Sequence, residues 1–340
     1  MCGILGYLRT DSGAGRYDLK RAVAALAHRG PDDAGEWSEG AVGLGFVRLA
    51  IIDLSPAGHQ PMISPDGRYI IVFNGEIYNF PDLRSELEAQ GEQFLGHSDT
   101  EVLLRLFQRI GLEACLAKLR GMFAFAIWDR QEQQLVIVRD RMGVKPLVYA
   151  ETANGVVFAS EIGSLFELAP DLSRQADYTA IDQYLTYQYV PSPRTGFASI
   201  RKLPPAHAMV IRHGRVEKIF RYWDIDPTQR CALSFSDAAE RLRELVLEAT
   251  RIRLVSDVPL GAFLSGGVDS SITVAAMARL SSRPVKTYAI GFDDERLNEL
   301  PYARQVAEHL GTEHHEEVCR PDAVDLLPKL IGHLGEPFAD

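Results

Sequence analysis

Val258-Pro259-Leu260-Gly261-Ala262-Phe263-Leu264-Ser265-Gly266-Gly267-Val268-Asp269-Ser270-Ser271 is the stretch on which the reading of the fold turns. An apolar run, Val258 to Leu264, is cut by Ser-Gly-Gly, and a helical pattern runs from Ser270 to Leu280. Downstream, Val285 to Phe292 reads as a second strand and Leu300 to Leu310 as a second helix. Upstream, Ser236 to Leu254 is a strongly periodic helix with charges on one side. Strands alternating with helices of this length imply βαβ units and a parallel sheet. The loop leaves backbone N–H groups free at the positive end of a helix, where an anion is favoured. Ser265 and Ser270 add hydroxyl donors, and Asp269 is placed to reach a magnesium ion. No Gly-Lys-Ser/Thr follows, which excludes the common P-loop. Taken by itself, Ser-Gly-Gly is read as well or better as a plain turn capped by Asp269 or Ser270.

The other half of the chain has a different texture. Tyr69 to Phe73, Met122 to Trp128, Gln134 to Arg139 and Val156 to Ser160 are short β-prone runs between turn residues. Tyr17 to Leu26, Asp82 to Gln90 and Thr100 to Ile110 carry helical spacing, the last capped by Ser98 or Asp99. Tyr189 to Gly196 is rich in Pro and Gly, Ala208 to Val216 reads as a hairpin turning at His213-Gly214, and Pro227 to Ser234 is a second break. A length of 340 residues favours two domains. We place one at 1–200 and the other at 201–340.

Cys2 is the most informative single residue. Its small side chain permits removal of Met1, which would leave a thiol and a free α-amine on one residue. Such an amine titrates near ~8, so at neutral pH it can take the thiol proton. The plain alternative is a small apolar residue at the start of a strand. Asn74-Gly75-Glu76 follows the run Tyr69 to Phe73, and an amide beside a glycine N–H supplies two donors to an oxyanion. Asn-Gly is also a common hairpin turn, but Ile77-Tyr78-Asn79-Phe80-Pro81 is not an immediate return strand. Arg48, within an apolar run, offers two parallel hydrogen bonds to a carboxylate. Asp99 suits an ammonium group and serves equally well as a helix cap.

Six motifs occur in order: Cys2-Gly3-Ile4, His28-Arg29-Gly30-Pro31-Asp32, Arg48-Leu49-Ala50-Ile51, Asn74 to Asn79, Ser98-Asp99-Thr100-Glu101 and Arg139 to Leu147. Together they resemble the class II glutamine amidotransferases with an N-terminal-nucleophile fold, closest to the asparagine synthetase family. The loop Leu264 to Ser271 resembles the pyrophosphate loop of the N-type ATP pyrophosphatases, a group that includes the synthetase domain of the same family. The fold class implied is α/β overall: an αββα sandwich followed by part of a parallel-sheet domain. The resemblance implies that Cys2 attacks the glutamine amide and that Asn74 and Gly75 hold the oxyanion. Arg48, the Ile52 backbone, Asn74, Glu76 and Asp99 would bind glutamine. Leu264, Ser265, Gly266, Gly267, Asp269, Ser270 and Ile290 would bind ATP and pyrophosphate, with Mg2+ at Asp269. His28 and the Arg139 to Leu147 segment are read as structural, and the pair His314-His315 as solvated, since neighbours on a strand face opposite sides. ATP would activate the aspartate β-carboxylate as an acyl-adenylate, which ammonia from glutamine converts to asparagine, AMP and pyrophosphate. The alternative within this architecture is another acceptor carboxylate.

Composition sets outer bounds. A net charge of -10 disfavours nucleic acid and anionic membranes as main partners, leaving the small molecules glutamine, aspartate and ATP. No apolar run reaches ~18 residues, so a membrane span is not expected. Four scattered cysteines without a Cys-x-x-Cys pair suit the cytoplasm. A homodimer is compatible with the family resemblance. Relatives of this kind continue into a second ATP-site motif, Ser-Gly-Glu-Gly-x-Asp-Glu, and no such string occurs here. The expectation is that these 340 residues hydrolyse glutamine without making asparagine.

Overall fold

A computed structural model of the chain describes residues 1–10, 17–320 and 323–339. Asp340, where the sequence reading ended, lies outside the described residues. The chain divides into two compact units, Met1–Ile225 with Leu327–Asp340, and Asp226–Leu326.

The first unit is built on two six-stranded sheets. One runs Arg201–Lys202, Val148–Thr152, Gly155–Ala159, Gly3–Arg9, Val42–Arg48, Asp33–Glu39; the other Arg215–Arg221, His207–Arg212, Gln134–Arg139, Gly121–Asp129, Tyr69–Ile77, Met62–Ile63. Every pairing in both sheets is antiparallel. The period-two alternation of strand side chains explains the layers. Along Tyr69–Ile77, Ile70 and Val72 join Ile4, Leu44, Phe46 and Phe158 in a core between the sheets. Ile71, Phe73 and Ile77 instead pack on the helices Phe80–Ala89 and Asp99–Ile110. On the far side, Leu5 and Tyr7 pack with Val23 of Leu19–Ala25 and Leu165 of Ile162–Leu168. The order helix, sheet, sheet, helix is the αββα sandwich. Each fully buried Leu, Ile or Phe in it contributes about 1.5–3 kcal/mol.

The second unit is smaller. Its sheet has three parallel strands in the order Gly261–Phe263, Lys286–Gly291, Glu313–Val318. Phe235–Arg251, Val268–Leu280 and Leu300–Leu310 are its main helices. Leu264, Val274, Ala289, Leu300, Ala303 and Ala307 form its core. The helix expected from Ser270 begins at Val268, because the turn itself supplies the first helical residues.

Two expectations need adjustment. The hairpin at His213-Gly214 is present, with both turn residues at positive φ, 48° and 68°. Its strand His207–Arg212 pairs with Gln134–Arg139, so it completes the second sheet of the first unit. The boundary therefore falls after Ile225, not after residue 200. Asn74 and Gly75 lie within the strand Tyr69–Ile77 rather than after it, opposite Ala124 and Phe123. A side chain at Gly75 would meet the Met122 carbonyl at 2.3 Å, so glycine is what lets the two strands close there.

Candidate functional site

The strand Gly3–Arg9 starts one residue after Cys2, and its pairing of Gly3 with Val47 sets Cys2 beside Leu49. The Cys2 thiol donates to the Leu49 carbonyl at 3.6 Å and accepts from the Leu49 N–H at 3.4 Å. The Arg29 Nε donates to the Cys2 carbonyl at 2.9 Å, so the nucleophile is tethered at both ends. A cavity of about 280 Å³ opens at this point, and it is lined by Cys2, Arg48, Ile52, Asn74, Gly75, Glu76 and Asp99. Arg48, Asn74, Gly75 and Glu76 come from strands of the two sheets, Cys2 and Ile52 from flanking loops, and Asp99 from the start of the helix Asp99–Ile110. All of the candidate glutamine-site residues are thus brought to one cavity.

Asn74 is 1% exposed, and its Nδ2 has no hydrogen-bond partner. An amide donor buried without an acceptor costs about 1–3 kcal/mol, and such a group at a cavity wall is typical of a site that waits for a ligand oxygen. Arg48 ends the strand Val42–Arg48 and enters a cradle of carbonyls. Its guanidinium donates to the Ser55 carbonyl at 3.3 Å, to the Ile52 carbonyl at 3.4 Å and to that of Asp53. Asp53, with φ of 60° and fully buried, shapes that loop by accepting from the Ser55 N–H at 3.1 Å and the His97 N–H at 2.8 Å. One Nη1 and both Nη2 hydrogens are so engaged, which leaves the Nε–H and one Nη1–H, on different edges of the plane, as donors to a ligand.

Ser98 caps the helix Asp99–Ile110 through the Glu101 N–H at 3.2 Å, so Asp99 is not needed for capping. Its carboxylate accepts from the Ile77 N–H at 2.9 Å. Burial raises the Asp99 pKa to about 7, with the neighbouring Glu76 adding to the rise. A cationic ligand would reverse that shift. Burial likewise pushes the Cys2 thiol up, and it pushes the α-amine of Met1 down.

The sequence reading missed Lys145, which lines the same cavity. It also missed Gly58, where a side chain would sit 1.9 Å from the Arg48 guanidinium. Neither carries a local signal, because each matters only through a partner outside its own turn of chain. His28 makes no contact with the thiol. It meets Glu161 at 3.1 Å and lies against His333 with centroids 4.2 Å apart and the rings tilted by 51°. Among the described residues, His28, Glu161 and His333 are the one convergent group of metal-capable side chains, within 4.8 Å of one another. The Arg29 guanidinium already lies 2.6 Å from Glu161, a fixed positive charge that repels a cation. We read the group as a brace for Arg29.

In the second unit, the loop from Ser265 is held by its own hydroxyls. The Ser265 and Ser270 oxygens are 2.9 Å apart, and the Gly267 N–H donates to Ser265 Oγ at 3.2 Å. Gly266 has φ of 82°, and a side chain there would strike the Tyr302 backbone at 2.4 Å. Gly267 caps the helix without any side-chain bond, so the first N–H groups of a 13-residue helix are uncovered. Leu264 is buried behind the loop, donating to the Tyr288 carbonyl at 2.8 Å, and Ile290 stands half exposed on that neighbouring strand. Asp269 lies in the first helical turn. His314 bonds Thr287 at 2.9 Å while His315 stacks on Tyr288 at 5.2 Å, on opposite faces of the strand.

Residues 1–223 match the family described as a glutamine amidotransferase domain, and residues 241–340 match asparagine synthase. The glutamine-hydrolysing asparagine synthetase 1 of Bacillus subtilis is 38% identical over 347 residues, covering 100% of this chain and 54% of that protein. A protein of Methanocaldococcus jannaschii, provisionally named asparagine synthetase 2, is 33% identical, covering 100% of this chain and 69% of its own. The chain spans about half the length of the Bacillus subtilis relatives it matches, 54% and 56%. Among solved structures, the glutamine phosphoribosylpyrophosphate amidotransferase of Bacillus subtilis has a TM-score of 0.50 at 19% identity, covering 96% of this chain and 70% of that one. That likeness is one of fold. No helix among the described residues is long and apolar enough to cross a membrane.

Proposed function

The chain belongs to the amidotransferases that join a glutaminase domain to an asparagine synthase domain, and from that membership we propose that its first unit hydrolyses glutamine at Cys2. The observation that carries the reading is the unpartnered, fully buried Nδ2 of Asn74 in the wall of the Cys2 cavity. Once Met1 is removed, the α-amine resides on Cys2 and takes the thiol proton. The sulfur then bonds to the glutamine amide carbon while the C=O electron pair moves to oxygen. Asn74 Nδ2 and the Gly75 N–H stabilise that oxyanion. As the C–N bond breaks, the α-ammonium returns its proton to the departing nitrogen, releasing ammonia and leaving a thioester. Water attacks the thioester, gives its proton back to the thiol, and frees glutamate. An unengaged Arg48 donor suits the α-carboxylate of glutamine. Asp99, Glu76 and the Ile52 carbonyl offer acceptors to its α-ammonium.

The second unit has the parts for the phosphates of ATP: an uncapped helix N-terminus, the Ser265 and Ser270 hydroxyls, and small residues at 266 and 267. Asp269 would supply one carboxylate to Mg2+, an ion that commonly takes its other ligands from phosphates and water. ATP there would activate a carboxylate, aspartate in the leading reading, because hydroxide is a poor leaving group. Leu264 and Ile290 would face the adenosine portion.

The test has two arms. The purified chain is assayed for glutamate release from glutamine and for labelling by a glutamine-analogue electrophile. We expect hydrolysis and a single label at Cys2, with Cys115 untouched because burial pushes its thiol to about 12. Activity surviving in Cys2→Ala, or no hydrolysis by a folded chain freed of Met1, would sink the proposal. Aspartate-dependent pyrophosphate release by the uninterrupted gene product tests the acceptor. Silence there with intact hydrolysis transfers the reading to another carboxylate.

A further inference from the structure

The segment Arg139 to Leu147, read from sequence as structural, is a cage with one functional side chain at its end. Asp140 is 1% exposed and accepts from four backbone N–H groups: Phe123 at 3.2 Å, Met142 at 3.1 Å, Val144 at 3.0 Å and Lys145 at 2.9 Å. The Arg139 guanidinium closes the loop, donating to the carbonyls of Lys145, Gly143 and Leu203 at 2.8 Å each. These seven bonds fix the Lys145 backbone beside the glutamine cavity. Its side chain is 5% exposed, and it lines the cavity with Cys2. Among the described residues the only hydrogen-bond partner of Nζ is the Met1 sulfur, at 3.6 Å. A thioether is a weak acceptor for an ammonium. Met1 is also the residue whose removal the chemistry requires, and the processed protein would lack that one bond.

We propose that Lys145 is a positioning residue of the glutaminase site, a caged cation beside Cys2 that keeps the thiol ionisable and the α-amine neutral. The inference rests on the glutaminase reading and deepens it. The charged groups facing the Cys2 thiol and the adjoining Met1 amine are Arg29 and Lys145 on the positive side, and Asp32 and Asp99 on the negative. Arg29 is committed to the Cys2 carbonyl and Glu161. Around Lys145 itself lie Glu76, Asp140, Arg29 and Cys2. Burial depresses Lys145, and the Glu76 and Asp140 carboxylates work against that fall. A nearby positive charge lowers the pKa of both thiol and amine, which offsets the burial that raises the thiol.

The experiment compares Lys145→Met and Lys145→Arg with the parent chain, all freed of Met1, in the pH dependence of kcat/KM for glutamine hydrolysis. The rate of Cys2 alkylation by iodoacetamide is followed over the same pH range. Loss of the charge should move the acid limb and the alkylation midpoint upward by about half a pH unit or more. Lys145→Arg should stay with the parent. A merely structural role would lower activity at every pH alike, and limbs that coincide in Lys145→Met and parent overturn the proposal. If Lys145→Met does not fold, Lys145→Gln against Lys145→Arg makes the same comparison. Absence of hydrolysis in the parent would overturn the glutaminase reading instead, so the two failures are distinct.

Discussion

Replacing Asp99 by Asn should make the first unit more stable and the candidate site worse. Asp99 is 5% exposed, and burial raises its pKa from 3.8 to about 7. That gap of about 3 pH units, at ~1.4 kcal/mol per unit, means an ionised Asp99 costs the folded state up to ~4 kcal/mol. The direction with pH is fixed by where the proton sits. Between about pH 4 and 7 the folded chain holds a proton that the unfolded chain has lost. Stability from this group is therefore full below ~4 and falls as pH rises through 7. Asn has no charge to bury, and its carbonyl can still accept from the Ile77 N–H that Asp99 now engages at 2.9 Å. The gain from Asp99→Asn should be small at about pH 4, grow as pH rises, and reach ~4 kcal/mol above about pH 7. Urea unfolding of parent and variant, followed through the tryptophan of the sheet core at Trp128, measures it directly. In the same variant KM for glutamine should rise at least tenfold, since a carboxylate facing the substrate ammonium is lost. A variant no more stable at alkaline than at acid pH would refute the reasoning, and so would an unchanged KM.

Two further substitutions separate the units. Asn74→Ala should lower kcat for glutamine hydrolysis by about 10²–10³-fold with little change in KM, as expected for an oxyanion donor. Steady-state kinetics decide it, and a change confined to KM would instead make Asn74 a substrate-binding residue. Gly266→Ala places a side chain at φ of 82° and 2.4 Å from the Tyr302 backbone. It should destabilise the second unit by ~1–3 kcal/mol and leave glutamine hydrolysis intact. Calorimetry would show one transition lowered, and a drop in glutaminase activity would mean that the loop has an effect we do not assign to it.

The strands Gly3–Arg9 and Val42–Arg48 show where local reading stops. Each is buried on both faces and is interrupted by glycines, so neither displays the alternation that marks a half-buried strand. The small residues at Gly6 and Gly43 are explained only by neighbours in space, the Phe158 and Tyr7 rings. Tyr69–Phe73 was legible because its β-branched run is long, yet its continuation through Asn74 and Gly75 was hidden by residues that usually end strands. The partner Phe123–Ala124 across the ladder overrides that local preference.

By itself the sequence determined what depends on neighbours along the chain. A Ser-Gly-Gly turn between strand and helix, a thiol next to the initiator methionine, an Asn-Gly pair and the hairpin at His213-Gly214 declare their chemistry within a few residues. Only the tertiary structure decided which of these share a site and what their surroundings do to them. It joined Cys2 to Asn74 and Asp99, assigned the hairpin to the second sheet, and set Lys145 in the cavity wall. The reason is physical: reactivity here follows from burial and from charges brought together across more than a hundred residues of chain. Desolvation has no signature in a string of letters until the string is packed.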